Sequence, residues 1–212
     1  MAPQLRVLMV CTGNICRSPA GERLLAVAGD ESVSASSAGT GAVVGDPISP
    51  LMADLLTGVG VPVDGFAARQ LTPQIIEDCD LVLTMASQHR RWVVDRVPGA
   101  VRRTFTLLEL AHVADAIELP AGLTSAQRLL ELVDAAPRLR LRPDVADKLS
   151  ERVDVPDPYG RDESAYNEAL GLIGDAVYRI LGLDPTGWLL PVDPGFDEDV
   201  ELDDQLFDMG AR

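Results

Sequence analysis

The chain has 212 residues and a formal net charge of −15, with 18 basic against 33 acidic side chains, a balance that excludes nucleic acid as its partner. Its composition, 47% hydrophobic and 4% aromatic, is that of a globular protein with length for one ordinary domain plus extensions. No apolar stretch approaches the ~18 residues needed to span a membrane, and MAPQLR leads directly into an apolar run, so the expected location is the cytoplasm, with no membrane partner.

Leu5 to Val10, rich in leucine, valine and methionine, has the pattern of a short strand buried on both faces. A polar loop follows, and from Pro19 the sequence continues as an amphipathic helix, with Ser18 at its N-cap and Pro19 in its first turn. Residues 32–37 alternate toward the turn Ser37-Ala38-Gly39-Thr40 and predict a second strand. Pro47 and Pro50 introduce a helix over 51–56 that stops at Gly58. A third short strand is expected over 61–66, a helix from Thr72-Pro73 through Ile76, and a strand over 81–85. Residues 86–97 predict a helix with Trp92, Val93 and Val97 on its apolar face and His89, Arg90, Arg91 and Asp95 on the other. A last parallel strand over 104–107 and a helix over 108–114 follow. The alternation predicts parallel βαβ units.

Residues 113–152 have a different texture. Thr124 can cap a helix over 125–135 that Pro137 interrupts, and a second helix is expected near 144–153. The segment delivers the chain to Asp154-Val155-Pro156-Asp157-Pro158-Tyr159-Gly160, which cannot continue a helix and reads as a constrained loop. Apolar residues at 165, 169, 172, 173, 176, 177 and 180 mark a closing amphipathic helix. The stretch from Asp184 to Arg212 carries nine acids and one base. Trp188, Leu189, Leu190, Phe196, Leu202, Leu206 and Phe207 interrupt this acidity, the pattern of a tail able to dock on the domain.

Chemistry concentrates where the first strand breaks. The loop Cys11-Thr12-Gly13-Asn14-Ile15-Cys16-Arg17-Ser18 joins a strand to a helix N-terminus, where free N–H groups and the helix dipole favour an anion. The same field favours a thiolate at Cys11. Arg17 adds a planar fork suited to two phosphate oxygens, and Gly13 and Asn14 tolerate the positive φ that such a loop needs. Cys-x5-Arg therefore sets a nucleophile beneath a tetrahedral dianion held by arginine and by the loop amides of residues 12 to 18. The three cysteines do not form a disulfide framework. Cys79 reads as a small buried hydrophobe. His89 and His112, with no Cys-x-x-Cys pair, make no zinc site, and no metal or other cofactor is called for.

A phosphoryl group transferred to Cys11 leaves an oxygen that departs readily only if protonated. Asp157, fixed before Pro158 and beside the ring of Tyr159, is the best acid, able to serve as base toward water in the second step; Asp154 is its competitor.

CTGNICRSP after a buried strand, SAGT at 37–40, ARQLT at 68–72, DLVLTM at 80–85 and DPYG at 157–160 together resemble the low-molecular-weight protein tyrosine phosphatases, particularly bacterial members, in family order over residues 4–183. Other cysteine-dependent phosphatases place the acid loop upstream of a His-Cys-x5-Arg signature, whereas here Val10 precedes the cysteine. The resemblance implies a three-layer α/β sandwich with a four-stranded parallel sheet and metal-independent phosphotyrosine hydrolysis through a cysteinyl-phosphate; against it, residues 113–152 read as a helical insertion longer than the link of compact members, and 184–212 as an added acidic tail. It implies Cys11 as nucleophile, Arg17 as phosphate ligand and Asp157 as general acid. Ser18 would donate to the thiolate, Asn14 and Ser37 would brace the loop, and Tyr159 would line the mouth. Cys16 matches a second loop cysteine that can form a reversible disulfide with the nucleophile. The chain departs from the pattern at Phe66, where many members have a histidine that helps hold the loop asparagine.

Three other readings share the motif. Thioredoxin-coupled arsenate reductases need resolving cysteines near the strand that here reads LVLTMAS, and none is there. Protein-arginine phosphatases characteristically carry threonine where this chain has Ile15, whose apolar branch suits an aromatic ring. A non-catalytic phosphate-binding module would not need Cys11, Arg17 and Asp157 together.

Overall fold

A computed structural model describes residues 4–151 and 153–188. β1 (Leu5–Cys11) is buried at every position except Arg6. It pairs with β2 (Val33–Gly39) on one side and β3 (Leu81–Thr84) on the other, and β4 (Thr104–Thr106) lies outside β3. All three pairings are parallel, in the order β2-β1-β3-β4.

The two faces of β1 enter different cores. Val7 and Met9 share the larger one with α1 (Arg17–Ala28), α2 (Pro50–Gly58), α5 (Leu107–Asp115), α6 (Ser125–Leu139) and α8 (Glu163–Leu181). Leu8 and Val10 share the smaller one with Ile76 of α3 (Pro73–Glu77), Val93 of α4 (Ser87–Arg96) and Ala100 of the 3-10 helix Pro98–Arg103. Successive side chains of a strand point to opposite faces, so a run apolar at every position requires a layer of helices on each side. The three-layer α/β sandwich with a four-stranded parallel sheet follows. α7 (Pro143–Glu151) adds one more helix before the loop at 153–160.

The topology also locates the site. The chain leaves β1 for β2 on one side and returns to β3 on the other, so β1 is where the winding reverses. In open α/β sheets that switch point leaves a crevice at the carboxyl ends of the strands. Cys11 is the last residue of β1.

Three expectations are corrected. Residues 61–66 form no strand: Val61 is buried and Val63 and Phe66 partly so, which produces the alternation, but Pro62 lacks an amide hydrogen and Gly65 turns with φ 69°. Among the described residues, the edge beyond β2 carries only an isolated bridge between Gly39 and Gln70. Pro137 does not interrupt α6, which runs on to Leu139; proline there forgoes one bond, to the carbonyl of Val133, while Leu139 in the same turn is buried. Finally, α1 begins at Arg17 with Cys16 at its N-cap position, and no side chain caps it. Ser18 is drawn away from capping because its hydroxyl is committed to the loop below.

Candidate active site

The loop after β1 folds back over the sheet edge. Gly39, at the end of β2, comes so close that a Cβ there would lie 2.3 Å from the carbonyl oxygen of Thr12, so only glycine fits. The amides of Thr40, Gly41 and Val43 donate to the carbonyls of Cys11, Thr12 and Gly13, each at 3.0 Å. Asn14 takes the left-handed conformation, φ 55°, while Gly13 does not.

The sulfur of Cys11 receives two hydrogen bonds, from the amide of Asn14 at 3.3 Å and the hydroxyl of Ser18 at 2.9 Å. The direction of the second follows from its neighbour. Asn14 Nδ2 donates to Ser18 Oγ at 3.0 Å, which turns the hydroxyl hydrogen toward sulfur. Two donors on one buried sulfur are the arrangement that a thiolate needs.

The brace on Asn14, left open by Phe66, is fully accounted for. Nδ2 also donates to Ser37 Oγ at 2.8 Å, and Oδ1 accepts from the amide of Arg69 at 2.9 Å. Ser37 donates in turn to Glu22 Oε2 at 2.5 Å, and Arg69 Nε donates to the Ser37 carbonyl at 2.6 Å. Phe66 instead packs its ring near the Arg23 guanidinium, 5.8 Å from the centroid. Sequence reasoning found Asn14, Ser18 and Ser37 but missed Glu22 and Arg69; Arg69 stood inside the noted ARQLT stretch without a role.

Arg17 is almost fully buried, 3% exposed. Nη1 donates to the carbonyl of Val155 at 3.1 Å and Nη2 to Asp157 Oδ2 at 2.5 Å. Its Nε is buried and has no hydrogen-bond partner among the described residues. A guanidinium kept dry with a donor unspent is available to an anion. Asp157 thus reaches the cysteine loop from the loop that precedes α8, near the other end of the domain. Its side chain is 52% exposed and also accepts from the amide of Tyr159 at 3.2 Å, and the ring of Tyr159, itself exposed, does not wall it off from solvent. Asp154 points elsewhere: its Oδ1 accepts from the amide and hydroxyl of Ser87, both at 2.7 Å.

Cys16 has partners of its own, its sulfur 3.1 Å from Ser49 Oγ and 3.8 Å from the hydroxyl of Tyr166. Burial pushes its thiol up, against the smaller help of those two hydroxyls. Cys11, Cys16 and Cys79 are all free thiols. His89 is the largest surprise. Assigned to the polar face of α4 by sequence, it is 2% exposed, and its Nε2 lies 2.9 Å from Thr12 Oγ1. Burial, with the nearby Arg17 charge, holds its imidazole down to about 4.

A cavity of about 210 Å³ is lined by Cys11, Cys16, Arg17 and Asp157 together with the apolar Ile15, Val43 and the ring of Tyr159. Val43 was not singled out by sequence, since nothing in its own stretch marks it as a wall. Three larger grooves, about 660, 730 and 370 Å³, lie elsewhere among the described residues, and none is lined by a cysteine.

A parallel α/β sheet with a cysteine-bearing loop at its switch point, a buried arginine and an aspartate beside it defines a class of site, a candidate anion cradle that holds a thiol. Residues 6–128 match the family model of the low molecular weight phosphotyrosine protein phosphatases, and the chain belongs to that family. It is 28% identical over 167 residues to the low molecular weight protein-tyrosine-phosphatase Etp of Escherichia coli, covering 79% of this chain and 86% of Etp. Among solved structures it is similar to the tyrosine phosphatase AmsI of Erwinia amylovora, with 25% identity, TM-score 0.60, and coverage of 84% of this chain and 91% of that one. It is also similar to the arginine phosphatase YwlE of Geobacillus stearothermophilus, with 26% identity, TM-score 0.62, and the same coverage. Among the described residues no helix is long and apolar enough to cross a membrane.

Proposed function

We propose that this chain is a cytoplasmic protein-tyrosine phosphatase of bacterial type that acts on phosphotyrosine in protein substrates, with residues 1–183 as its catalytic domain, 113–152 as a helical insertion and 184–212 as an acidic tail. The observation that carries the reading is the doubly hydrogen-bonded Cys11 sulfur beside a buried Arg17 with Nε unspent.

In the first step the Cys11 thiolate attacks phosphorus, the S–P bond forms and the P–O bond to the aryl group breaks. Asp157, in its protonated form, gives its proton to the departing phenolate oxygen. The amides of the loop over residues 12–18 and the Arg17 fork hold the equatorial oxygens, whose charge they meet without reorganising. An arriving dianion competes with the Asp157 carboxylate for Arg17 Nη2, so phosphate binding loosens Asp157 for proton transfer. In the second step Asp157, now a carboxylate, takes a proton from water as that water attacks phosphorus, and the S–P bond breaks to return the thiolate and inorganic phosphate. No step calls for a metal.

Ile15 favours tyrosine over arginine as the phosphorylated residue. Only 9% exposed, it sets an apolar branch in the cavity wall, where an aromatic ring gains contact and a guanidinium would lose hydrogen-bond partners. The test compares hydrolysis of phosphotyrosine, phosphoarginine and phosphoserine peptides, with metal chelated, by wild type, Cys11→Ser and Asp157→Ala. Phosphotyrosine is the preferred substrate, Cys11→Ser is inactive, and Asp157→Ala loses roughly 10²–10⁴-fold in kcat/KM on esters with poor leaving groups but far less in kcat/KM on those with acidic ones. Turnover surviving Cys11→Ser, or equal loss on both ester types in Asp157→Ala, would refute the assigned roles.

A further inference from the structure

The first turn of α4 is where the two halves of the site meet. From its first residue, Ser87, the amide and hydroxyl donate to Asp154. From its third, His89, the imidazole bonds Thr12 in the cysteine loop. α4 has no cap of its own, since Ala86 stands at the N-cap position with a methyl group. Asp154 does that work from a loop distant in sequence, with a carboxylate on the first free amide of the helix and at the positive end of its dipole. Next in the chain, the amide of Val155 donates to the carbonyl of Met85 at 2.8 Å, and the carbonyl of Val155 accepts from Arg17. Asp157 follows two residues later.

We infer that Asp154 is a positioning residue that latches the loop 153–160 to α4 and thereby sets where Asp157 stands over Cys11. The inference rests on Asp157 as the general acid. Asp154 touches neither the cavity nor Arg17; its carboxylate is spent on Ser87. The latch has a chemical reason to sit here. Asp157 is half exposed and enters the cavity from a loop without regular structure, so its place depends on the few bonds that fix the loop's entrance. Two of those bonds end on one oxygen of Asp154.

The role leaves a signature that general damage does not. Releasing the loop costs only the steps in which Asp157 moves a proton, and kcat/KM, which covers the first of them and not the common hydrolysis of the cysteinyl-phosphate, falls in a way that depends on the leaving group. Asp154→Ala lowers kcat/KM on phenyl phosphate on the order of tenfold, the scale of losing a charge-assisted hydrogen bond, and leaves kcat/KM on an aryl phosphate with a strongly acidic leaving group nearly unchanged. Asp154→Asn keeps an acceptor at Oδ1 and restores most of the loss. Ser87→Ala removes one of the two donors and gives a smaller loss with the same dependence. In an Asp157→Ala background, adding Asp154→Ala costs nothing further on phenyl phosphate, because the residue it positions is gone.

Asp157→Ala is the control that separates the two claims. If it shows no dependence on the leaving group, the acid is misassigned and the latch falls with it. If it shows that dependence while Asp154→Ala does not, or if the two losses multiply in the double variant, the acid stands and the latch is overturned. An Asp154→Ala protein that fails to fold leaves the decision to Asp154→Asn and Ser87→Ala: loss by Ser87→Ala equal on both substrates overturns the proposal.

Discussion

The residues around Cys11 hold one another through a chain of single hydrogen bonds, Glu22 to Ser37 to Asn14 to Ser18 to sulfur, and His89 holds the loop's other shoulder through Thr12. His89 couples the site to pH through stability. Its folded value, about 4, lies below the 6.5 of a free imidazole. Between those values the unfolded chain binds the proton that the folded one refuses, so stability falls as pH drops through 6.5 toward 4. Arg17 strengthens the effect, and Asp157 and Asp154 oppose it. At pH 5 the cost is about 2 kcal/mol relative to pH 7.5. His89→Gln, which carries no titrating group, removes that part of the difference in urea unfolding free energy between the two pH values; a difference as large as that of wild type would place the titration elsewhere. The sequence could not reveal this residue. Helical periodicity assigns His89 to a polar face, and the burial of that face at the top of α4 comes from the cysteine loop lying against it, a contact between segments far apart in the chain.

At the scale of elements, the sheet depends on apolar runs and the site on how helices begin. β1, β3 and α8 were legible because short continuous apolar runs and the i, i+3, i+4 spacing report burial directly. The false strand at 61–66 and the supposed break at Pro137 share a cause: a local pattern decided what tertiary packing then overrode. α6 shows the packing at work. Thr124 and Gln127 close a capping box, and Asp30, from the turn before β2, accepts from the amide of Ser125 at 2.8 Å while Ser32 Oγ accepts from that of Ala126 at 2.9 Å. The helix start is thus tied to the edge of the sheet. Asp30→Ala is expected to lower stability by about 1 kcal/mol in denaturant unfolding, with turnover of a small aryl phosphate unchanged, and Asp30→Asn to recover most of it. The hydroxyl of Ser32, then the Ser125 amide, hold the Asp30 carboxyl down to about 2. Its contribution is therefore present above about pH 4 and lost as pH falls through about 2.

For the whole molecule the question is how an acidic protein keeps a site for a dianion. Nine of its 33 acids lie from Asp184 onward, after α8, and the cavity answers with a buried guanidinium and backbone amides that bulk charge does not screen. The sequence showed the asymmetry of charge, and it expected the stretch after α8 to dock through its apolar residues. Of these, Leu189, Leu190, Phe196, Leu202, Leu206 and Phe207 lie outside the described residues, but Trp188 is buried, at 8% exposure. Its indole lies over Gly174 of α8, so close that a Cβ there would stand 2.5 Å from the ring. Glycine in a helix interior costs about 1 kcal/mol against alanine, and here that cost makes room for the indole, whose burial returns more. Gly174→Ala should therefore destabilise despite its better helix propensity, by on the order of 1 kcal/mol. In a Trp92→Phe background it should shift the fluorescence of Trp188 to longer wavelength as the ring moves into water. No residue of α8 lines the cavity, so hydrolysis of a small aryl phosphate should be unaffected. A stabilised variant with unshifted emission would show that the indole does not rest on Gly174.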